Sequence, residues 1–314
     1  MFSEIKPKYV AIIIPCYNEE KTIGNVLKNF KKELYNIIKS NTINARYTIY
    51  PVDNNSTDAT WYEMNDAAFG LNYIKPMKCF QQGKGALLRQ MFNQINADIY
   101  VIIDGDSTYS ASDLLELIKP IYDKEVDVTI GDRLSSTYFK ENKRPFHNCG
   151  NKLVNALINM IYHSDVKDTM SGYRAYSKTF VKSFTAIKNN FETETEMTMF
   201  MLENGFSYKN IVIDYKDRPN GSMSKLNTYK DGYKVLKTIF NKYLCAKPLT
   251  IFGLIGLLTL LYGIVFAHNS SVYLYITIGI VMICTGIIGQ IVSSQAQEIK
   301  RIQINLFKSK QWKR

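Results

Sequence analysis

At 314 residues, 46% of them apolar and with a formal net charge of +11, the chain has room for one large domain and an appendage. The charge is uneven: residues 1–224 hold 27 Lys and Arg against 26 Asp and Glu, whereas residues 225–247 and 298–314 together supply +10. A nearly neutral globular part excludes nucleic acid as the reason for the basic balance. Five scattered cysteines (Cys16, Cys79, Cys149, Cys245, Cys284), odd in number and without metal-ligand or redox spacing, fit a reducing cytoplasm.

The apolar run Tyr9–Ile14 is too short for a signal peptide, stops at Pro15, and reads as a buried first strand followed by the loop Pro15, Cys16, Tyr17, Asn18, Glu19. Ile23, Val26, Leu27, Phe30, Leu34, Ile37 and Ile38 recur at helical spacing and predict one stripe packed on a sheet. Tyr47–Val52 is a second strand. The loop after it, Asp53 to Asp58, carries helix-start chemistry, with Ser56 or Thr57 as cap for a helix through Met64. Asp53, just past the strand, either accepts a nucleobase or ribose hydrogen bond or serves as another cap. Asn72–Lys75 predicts a short strand. Gly83, Lys84 and Gly85 then open a helix over 86–95, where two glycines let backbone approach a phosphate and Lys84 adds a point charge, although no GxxxxGK[ST] pattern is present.

The apolar run Ile99–Ile103 ends in Asp104, Gly105, Asp106. A continuous run of this kind suits a central parallel strand, and ligands gather at the carboxyl ends of such strands. Asp104 and Asp106 are hard oxygen ligands suited to Mg²⁺ or Mn²⁺; the bland alternative is a polar turn. A helix over 113–122 and a fifth strand, Val126–Ile130, ending in Gly131, Asp132, Arg133, complete an alternation that predicts the α/β class with an open, mostly parallel sheet.

Beyond this, Pro145–Tyr162 reads as one helix behind Lys143 and Arg144, and Asp168–Arg174 as a polar loop containing Gly172. Glu192, Glu194 and Glu196 crowd one helix start, so they are either solvated or meet cations. Tyr208–Tyr215 predicts a strand, followed by a flexible basic stretch with Arg218 and Lys225. Residues 225–247 form an amphipathic juxtamembrane helix with Leu226, Tyr229, Tyr233, Leu236, Phe240, Tyr243 and Leu244 on one stripe. From Pro248 to Gln297 no Asp, Glu, Lys or Arg occurs. Residues 248–267 and 272–292 are each long enough to span a bilayer, and the short link between them makes a transmembrane hairpin. Its basic flanks, with a basic tail over 293–314, place the 1–224 domain and both termini in the cytoplasm, at the cell (inner) membrane.

Taken in order, Pro15–Glu19, Asp53–Asp58, Asp104/Asp106, Gly131–Arg133, Ser171–Arg174 and Arg218–Lys225 resemble the inverting GT-A glycosyltransferases of family 2, specifically the polyprenyl-phosphate type similar to dolichyl-phosphate mannose synthase. The resemblance implies a UDP- or GDP-linked nucleotide sugar as donor and a polyprenyl phosphate, undecaprenyl or dolichyl, as acceptor. It assigns Pro15, Tyr17, Glu19 and Asp53 to the nucleotide and Asp104 and Asp106 to nucleotide and metal; Lys84, on its glycine-flanked charge, and Gly105, between the two acids, complete the nucleotide-sugar set. Arg133, Arg144, Asn148, Arg218 and Lys225 fall to the phosphates, and the paired helices resemble members that assemble as homo-tetramers.

The chain departs from the pattern at Asn54, where the family has a second Asp, at Asn148, where it often has Ser, and after Asp106, where Ser107 and Thr108 replace Leu and Gln. No Gln-x-x-Arg-Trp is present, which argues against processive polysaccharide synthases. An ionised lipid phosphate needs little help from a general base, so orientation and charge neutralisation dominate, and Asp168 is a base, a sugar-hydroxyl ligand or a loop cap. A membrane-tethered nucleotidyltransferase and a non-catalytic scaffold or lipid translocase are the other readings of the same chain.

Overall fold

The computed structural model describes residues 6–136, 138, 147–184, 192–219, 228–266 and 271–312. Two compact units emerge, Met1–Val235 and Leu236–Arg314.

The first unit is built on a seven-stranded sheet of order β3-β2-β1-β4-β6-β5-β7. Its strands are β1 (Lys8–Cys16), β2 (Ala45–Asp53), β3 (Met77–Lys78), β4 (Ile99–Ile102), β5 (Val128–Asp132), β6 (Arg174–Ser177) and β7 (Tyr208–Val212). Its helices are α1 (Ile23–Ser40), α2 (Thr60–Ala68), α3 (Lys84–Gln94), α4 (Leu114–Tyr122), α5 (His147–Tyr162), α6 (Lys178–Ser183) and α7 (Glu192–Glu203). The apolar runs of β1 and β4 are buried on both faces because helices cover both sides, as a parallel sheet requires. Helix α1 packs Ile23, Val26, Leu27, Phe30, Leu34 and Ile37 inward. Ile38, predicted on that stripe, is 62% exposed; at about 100° per residue it lies about 70° from the stripe's centre, at its margin, in the last turn of the helix.

Several boundaries differ from expectation. The helix expected behind a Ser56 or Thr57 cap starts only at Thr60, with Ala59 ahead of it and no side-chain cap, and the fifth strand lies two residues later, at Val128–Asp132. The expected strand over 72–75 reduces to a single bridge between Ile74 and Ile49, and the paired residues are Met77 and Lys78. Helix α3 starts two residues early, because Gly83 takes a φ of 111°, which glycine adopts without strain, and turns the chain straight into Lys84. The strand expected to reach Tyr215 ends at Val212, beyond which Tyr215 makes one antiparallel bridge to Tyr109.

The sheet is mixed, since β6 lies antiparallel between β4 and β5. This single reversal positions the site. Strands β1, β2 and β4 are mutually parallel or share a parallel neighbour, so Cys16, Asp53 and the Asp104 loop leave one edge. β5 pairs antiparallel with β6, as β4 does, so it runs in the direction of β4 and brings Asp132 and Arg133 to that edge. Arg174, the first residue of β6, pairs with both Ile102 and Ile130, so the loop before it arrives there too. β7, parallel to β5, sends Ile213–Arg218 the same way.

In α8 (Thr228–Ala246), Val235, Thr238 and Ile239 are buried, while Tyr233, Leu236 and Phe240 of the predicted stripe are exposed. Leu226 lies outside the described residues. The second unit contains α9 (Pro248–Phe266) and α10 (Ser271–Trp312), which pack together closely. A Cβ at Gly256 would meet the Gly279 carbonyl at 2.7 Å, and one at Gly263 would meet Tyr275 Cβ at 2.6 Å, so glycine permits the approach. Pro248–Phe266 and Ser271–Phe307 are long and apolar enough to cross a membrane. The helix that begins at Ser271 continues through residues expected as a tail.

Candidate active site

The first side of the edge is fastened by hydrogen bonds between neighbouring loops, most of them from backbone amides. Asn18, at a φ of 53°, donates its amide to Ser56 Oγ (2.9 Å) and accepts from the Thr57 amide through Oδ1 (2.8 Å). The Glu19 amide donates to Thr60 Oγ1 at 2.7 Å. Asp53, 4% exposed, accepts the Ser56 amide at 3.1 Å and so braces the turn after β2; it caps no helix, since α2 begins at Thr60 behind Ala59. Pro15 lies within β1 opposite Val52, and Tyr17, beyond the strand, is 37% exposed.

Asn54 turns out to be a working part of this frame. Its amide donates to the carbonyls of Cys79 (3.2 Å) and Gln81 (2.7 Å), while its Oδ1 accepts from the Gly83 amide (2.7 Å). An aspartate there would have no hydrogens to donate. The sequence shows Asn54 only as a departure; the three bonds tie the end of β2 to the glycine turn that delivers Lys84.

Asp104 and Asp106 each engage a cation that also faces a glutamate. Asp104 Oδ1 accepts from Lys84 Nζ at 2.6 Å, and the same Nζ lies 2.5 Å from Glu194 Oε1. Asp106 Oδ2 accepts from Arg218 Nη2 at 2.5 Å, and Arg218 Nη1 lies 3.5 Å from Glu19 Oε1. Asp106 Oδ1 takes the Thr108 amide (3.1 Å) and hydroxyl (2.6 Å). Burial disfavours charge on Asp104 and Lys84, yet their mutual attraction wins: the carboxyl is held below its ordinary range and the ammonium above its own. Two glycines make room. A Cβ at Gly172 would stand 2.1 Å from Asp104 Oδ2, and one at Gly105 would stand 2.8 Å from Cys16 Sγ. Thr22 Oγ1 fixes the turn by donating to the Gly105 carbonyl at 2.8 Å.

On the far side, Arg133 and Asp168 form a buried two-point ion pair, with Nε to Oδ2 at 2.7 Å and Nη2 to Oδ1 at 2.9 Å. Burial works against the guanidinium charge, but the Asp168 carboxylate more than offsets it and raises the arginine further above its usual value. Tyr109, Tyr138 and Tyr215 surround this guanidinium at 5.9, 5.1 and 5.8 Å. The Asp168 loop is held from beneath by Arg174, 2% exposed, which donates to the carbonyls of Ser171 (2.9 Å), Asp168 (3.3 Å) and Thr169, and to Thr198 Oγ1 (2.8 Å).

The edge therefore gathers Glu19, Asp53, Lys84, Asp104, Gly105, Asp106, Arg133, Asp168 and Arg218 from the predicted set. Arg144 and Lys225 lie outside the described residues, and Asn148 falls in the first turn of α5, its side chain also outside them. Glu194, Gly172, Asn54 and the three tyrosines are not among the predicted site residues, although Gly172 lies in the Ser171–Arg174 motif, Asn54 marks a departure from the pattern, and Glu194, one of the crowded glutamates, does meet a cation.

Among the described residues no group of three acids, histidines or cysteines is arranged to hold a metal. Hard carboxylate oxygens are nonetheless in excess: Asp104 and Glu194 share Lys84, and Asp106 and Glu19 share Arg218, so that four acids, all but Asp104 buried, face two cations. That balance and oxygen-only chemistry fit a hard divalent cation at Asp104 and Asp106.

Residues 11–184 match the model of glycosyl transferase family 2. Glycosyltransferase AglJ of Haloferax volcanii is 28% identical, over 80% of this chain and 77% of its own. The UDP-N-acetylglucosamine–dolichyl-phosphate N-acetylglucosaminyltransferase of Methanococcus voltae is 26% identical, over 56% of this chain and 72% of its own. The crystal structure of glucosyl-3-phosphoglycerate synthase from Mycobacterium tuberculosis, in complex with Mn²⁺, UDP-glucose and phosphoglyceric acid, shares the fold. Its TM-score is 0.55 at 17% identity, covering 75% of this chain and 80% of that one.

Proposed function

The chain belongs to glycosyl transferase family 2, and from that premise we propose that it transfers a sugar from a UDP- or GDP-linked donor to a polyprenyl phosphate at the cytoplasmic face of the cell membrane. One observation carries the reading: a site rich in carboxylates and cations shares its chain with two helices long and apolar enough to span a bilayer, flanked by basic residues. The dolichyl-phosphate relative supports the acceptor class. Assembly as a homo-tetramer belongs to the same proposal.

In this reading Asp104 and Asp106 hold Mg²⁺ or Mn²⁺, which when bound neutralises the donor diphosphate and eases its departure. Pro15, Tyr17, Glu19 and Asp53 hold the nucleotide on the braced loops of the first side. Two anions must meet, and at ~4 Å unit charges repel by about 4 kcal/mol at an effective dielectric of 20. Arg133, Arg144, Arg218 and Lys225 offset that repulsion at the acceptor phosphate, with Asn148 beside them. Both Asp168 oxygens already accept from Arg133, which suits a carboxylate that orients the guanidinium rather than one that takes a proton. The lipid phosphate is its own nucleophile, and a single displacement inverts the anomeric centre.

The test is to offer labelled nucleotide sugars to the full chain in detergent, with Mg²⁺ or Mn²⁺ and undecaprenyl or dolichyl phosphate. A lipid-linked sugar of inverted configuration is expected, and Asp106→Asn should lose most turnover while keeping its circular dichroism. Transfer to 3-phosphoglycerate but not to lipid would replace the acceptor, and a retained anomer would remove the single displacement.

A further inference from the structure

Asp106 has one oxygen to offer a cation. Its Oδ1 is committed to the amide and hydroxyl of Thr108, at 3.1 and 2.6 Å, so a positive charge must come to Oδ2. Arg218 Nη2 is on that oxygen at 2.5 Å. We propose that Arg218 is an internal stand-in for the divalent cation on Asp106, so that loading the metal and freeing Arg218 for a substrate phosphate are one event. The second half of this statement rests on the reading of Arg218 as a phosphate ligand; the first half does not.

The local build favours an arginine that lets go. Arg218 ends a strap that leaves β7 and crosses the sheet edge. The strap is pinned by the Ile213 amide on the Asp132 carbonyl (3.2 Å), the Asp214 amide on Asp113 Oδ2 (3.2 Å) and the Lys216 amide on the Thr108 carbonyl (3.0 Å). Tyr215 adds ring contacts to Tyr109 and Tyr138, with centroids 6.0 and 4.8 Å apart. The last of these pins is two residues short of Arg218, whose amide meets the adjacent Asp217 side chain at 2.9 Å. Its guanidinium, 18% exposed, can swing while the strap stays, and Glu19, 3.5 Å from Nη1, keeps it at the site when Asp106 is taken. Lys84 on Asp104 is the opposite case, set in the first turn of α3 between two acids.

A hard dication and a guanidinium compete for one carboxylate oxygen, and the dication brings twice the charge. Ahead of the metal, Arg218 offsets a carboxylate that is 6% exposed and costly to bury alone. After it, a planar fork of donors is released beside the donor diphosphate, where the acceptor phosphate must arrive.

The experiment measures Mn²⁺ binding to the full-length, nucleotide-free enzyme in detergent, by the electron paramagnetic resonance signal of free Mn²⁺. Arg218→Gln removes the competitor, and Mn²⁺ should bind about tenfold more tightly. Lys216→Gln removes the same charge from an exposed position on the same strap and should change binding less than about twofold. Arg218→Lys, which keeps the charge but not the fork, should fall between. Unchanged Mn²⁺ affinity in both Arg218 variants overturns the proposal, as does equal tightening in Lys216→Gln, which would reveal a general field. Acceptor kinetics at saturating Mn²⁺ separate the two readings. Tighter Mn²⁺ with an unchanged acceptor KM keeps the stand-in and removes the phosphate role.

Discussion

The two sides of the catalytic edge are held together by different forces. On the side of β1, β2 and the turn into α3, loops are knitted by backbone amides and short polar side chains: Asn18 with Ser56 and Thr57, the Glu19 amide with Thr60, Asn54 with Cys79, Gln81 and Gly83, and the carboxylates of Asp53, Asp58 and Glu20 with the amides of Ser56, Glu20 and Ala59. On the side of β5, β6 and the strap, the fastenings are ion pairs, Arg133 with Asp168 and Arg218 with Asp106, and Lys84 reaches from the first turn of α3 to Asp104 and Glu194. Bonds from fixed backbone amides set a geometry that depends less on the charge of whatever arrives. Ion pairs are open to rearrangement by a metal or a phosphate, so the second side is where substrate charge acts on the protein.

That contrast breaks most severely at Asp168. Asp168→Ala leaves the Arg133 guanidinium buried without its counterion and should cost about 3–5 kcal/mol, read as a fall in the thermal midpoint of the first unit. Asp168→Asn keeps an acceptor and should cost less. If alanine were tolerated, the tyrosines around Arg133 alone would suffice to hold the charge. Gly172→Ala comes next, because its Cβ would stand 2.1 Å from Asp104 Oδ2 and must push the carboxylate from its seat. Turnover should fall about 100-fold with little change in stability, since a misplacement of about 1 Å is worth that much in rate. Wild-type kcat in a folded Gly172→Ala variant would show that Asp104 has room to move. On the side of β1 and β2, Asn54→Asp loses two donors and leaves the Cys79 and Gln81 carbonyls wanting, at about 2 kcal/mol. Its penalty should be insensitive to metal, whereas those on the charged side should not.

The same division explains what the sequence made legible. Apolar runs located β1, β2, β4 and β5 and thus the edge where Asp53, Asp104 and Arg133 emerge, because such runs are local and their carboxyl ends share a direction. In the sequence alone, β6 reads as the end of a loop. It is four residues long and opens on Arg174, and nothing local says that this arginine is buried against carbonyls and a threonine from α7. Lys84 with Glu194 spans 110 positions and Arg218 with Asp106 spans 112. Spacing carries no trace of pairs so distant; the glycines beside Lys84 and the family resemblance at Arg218 mark both as phosphate ligands, without revealing which acids hold them. Asn54 shows the reverse limit: its bonds lie within 29 positions, but only the turn at Gly83 makes sense of an amide there.

The smallest expected effect lies at Asp113, where the charged side places acids together instead of pairing them. Asp113 Oδ2 accepts the Asp214 amide at the root of the strap, and burial pushes its carboxyl up to about 6, with the Asp214 and Glu116 charges adding to the shift against the hydrogen bond it accepts. An ordinary aspartate titrates near 4 in the unfolded chain, so between about pH 4 and 6 the folded state binds more protons than the unfolded one. Stability from this group is therefore fully present below about pH 4 and is lost as pH rises through about 6. The group is half-buried, so solvent screening reduces a two-unit shift to about 1 kcal/mol. Asp113→Asn keeps an oxygen for the Asp214 amide and removes the charge. It should raise the thermal midpoint at pH 7 and flatten its change between pH 4 and 6.5. Since Asp113 anchors the strap and touches neither Asp104 nor Asp106, Mn²⁺ affinity should hardly move. A midpoint lowered at pH 7 would mean that the charged form is the one the strap requires, and the acids around Asp113 would then have to be counted among its supports.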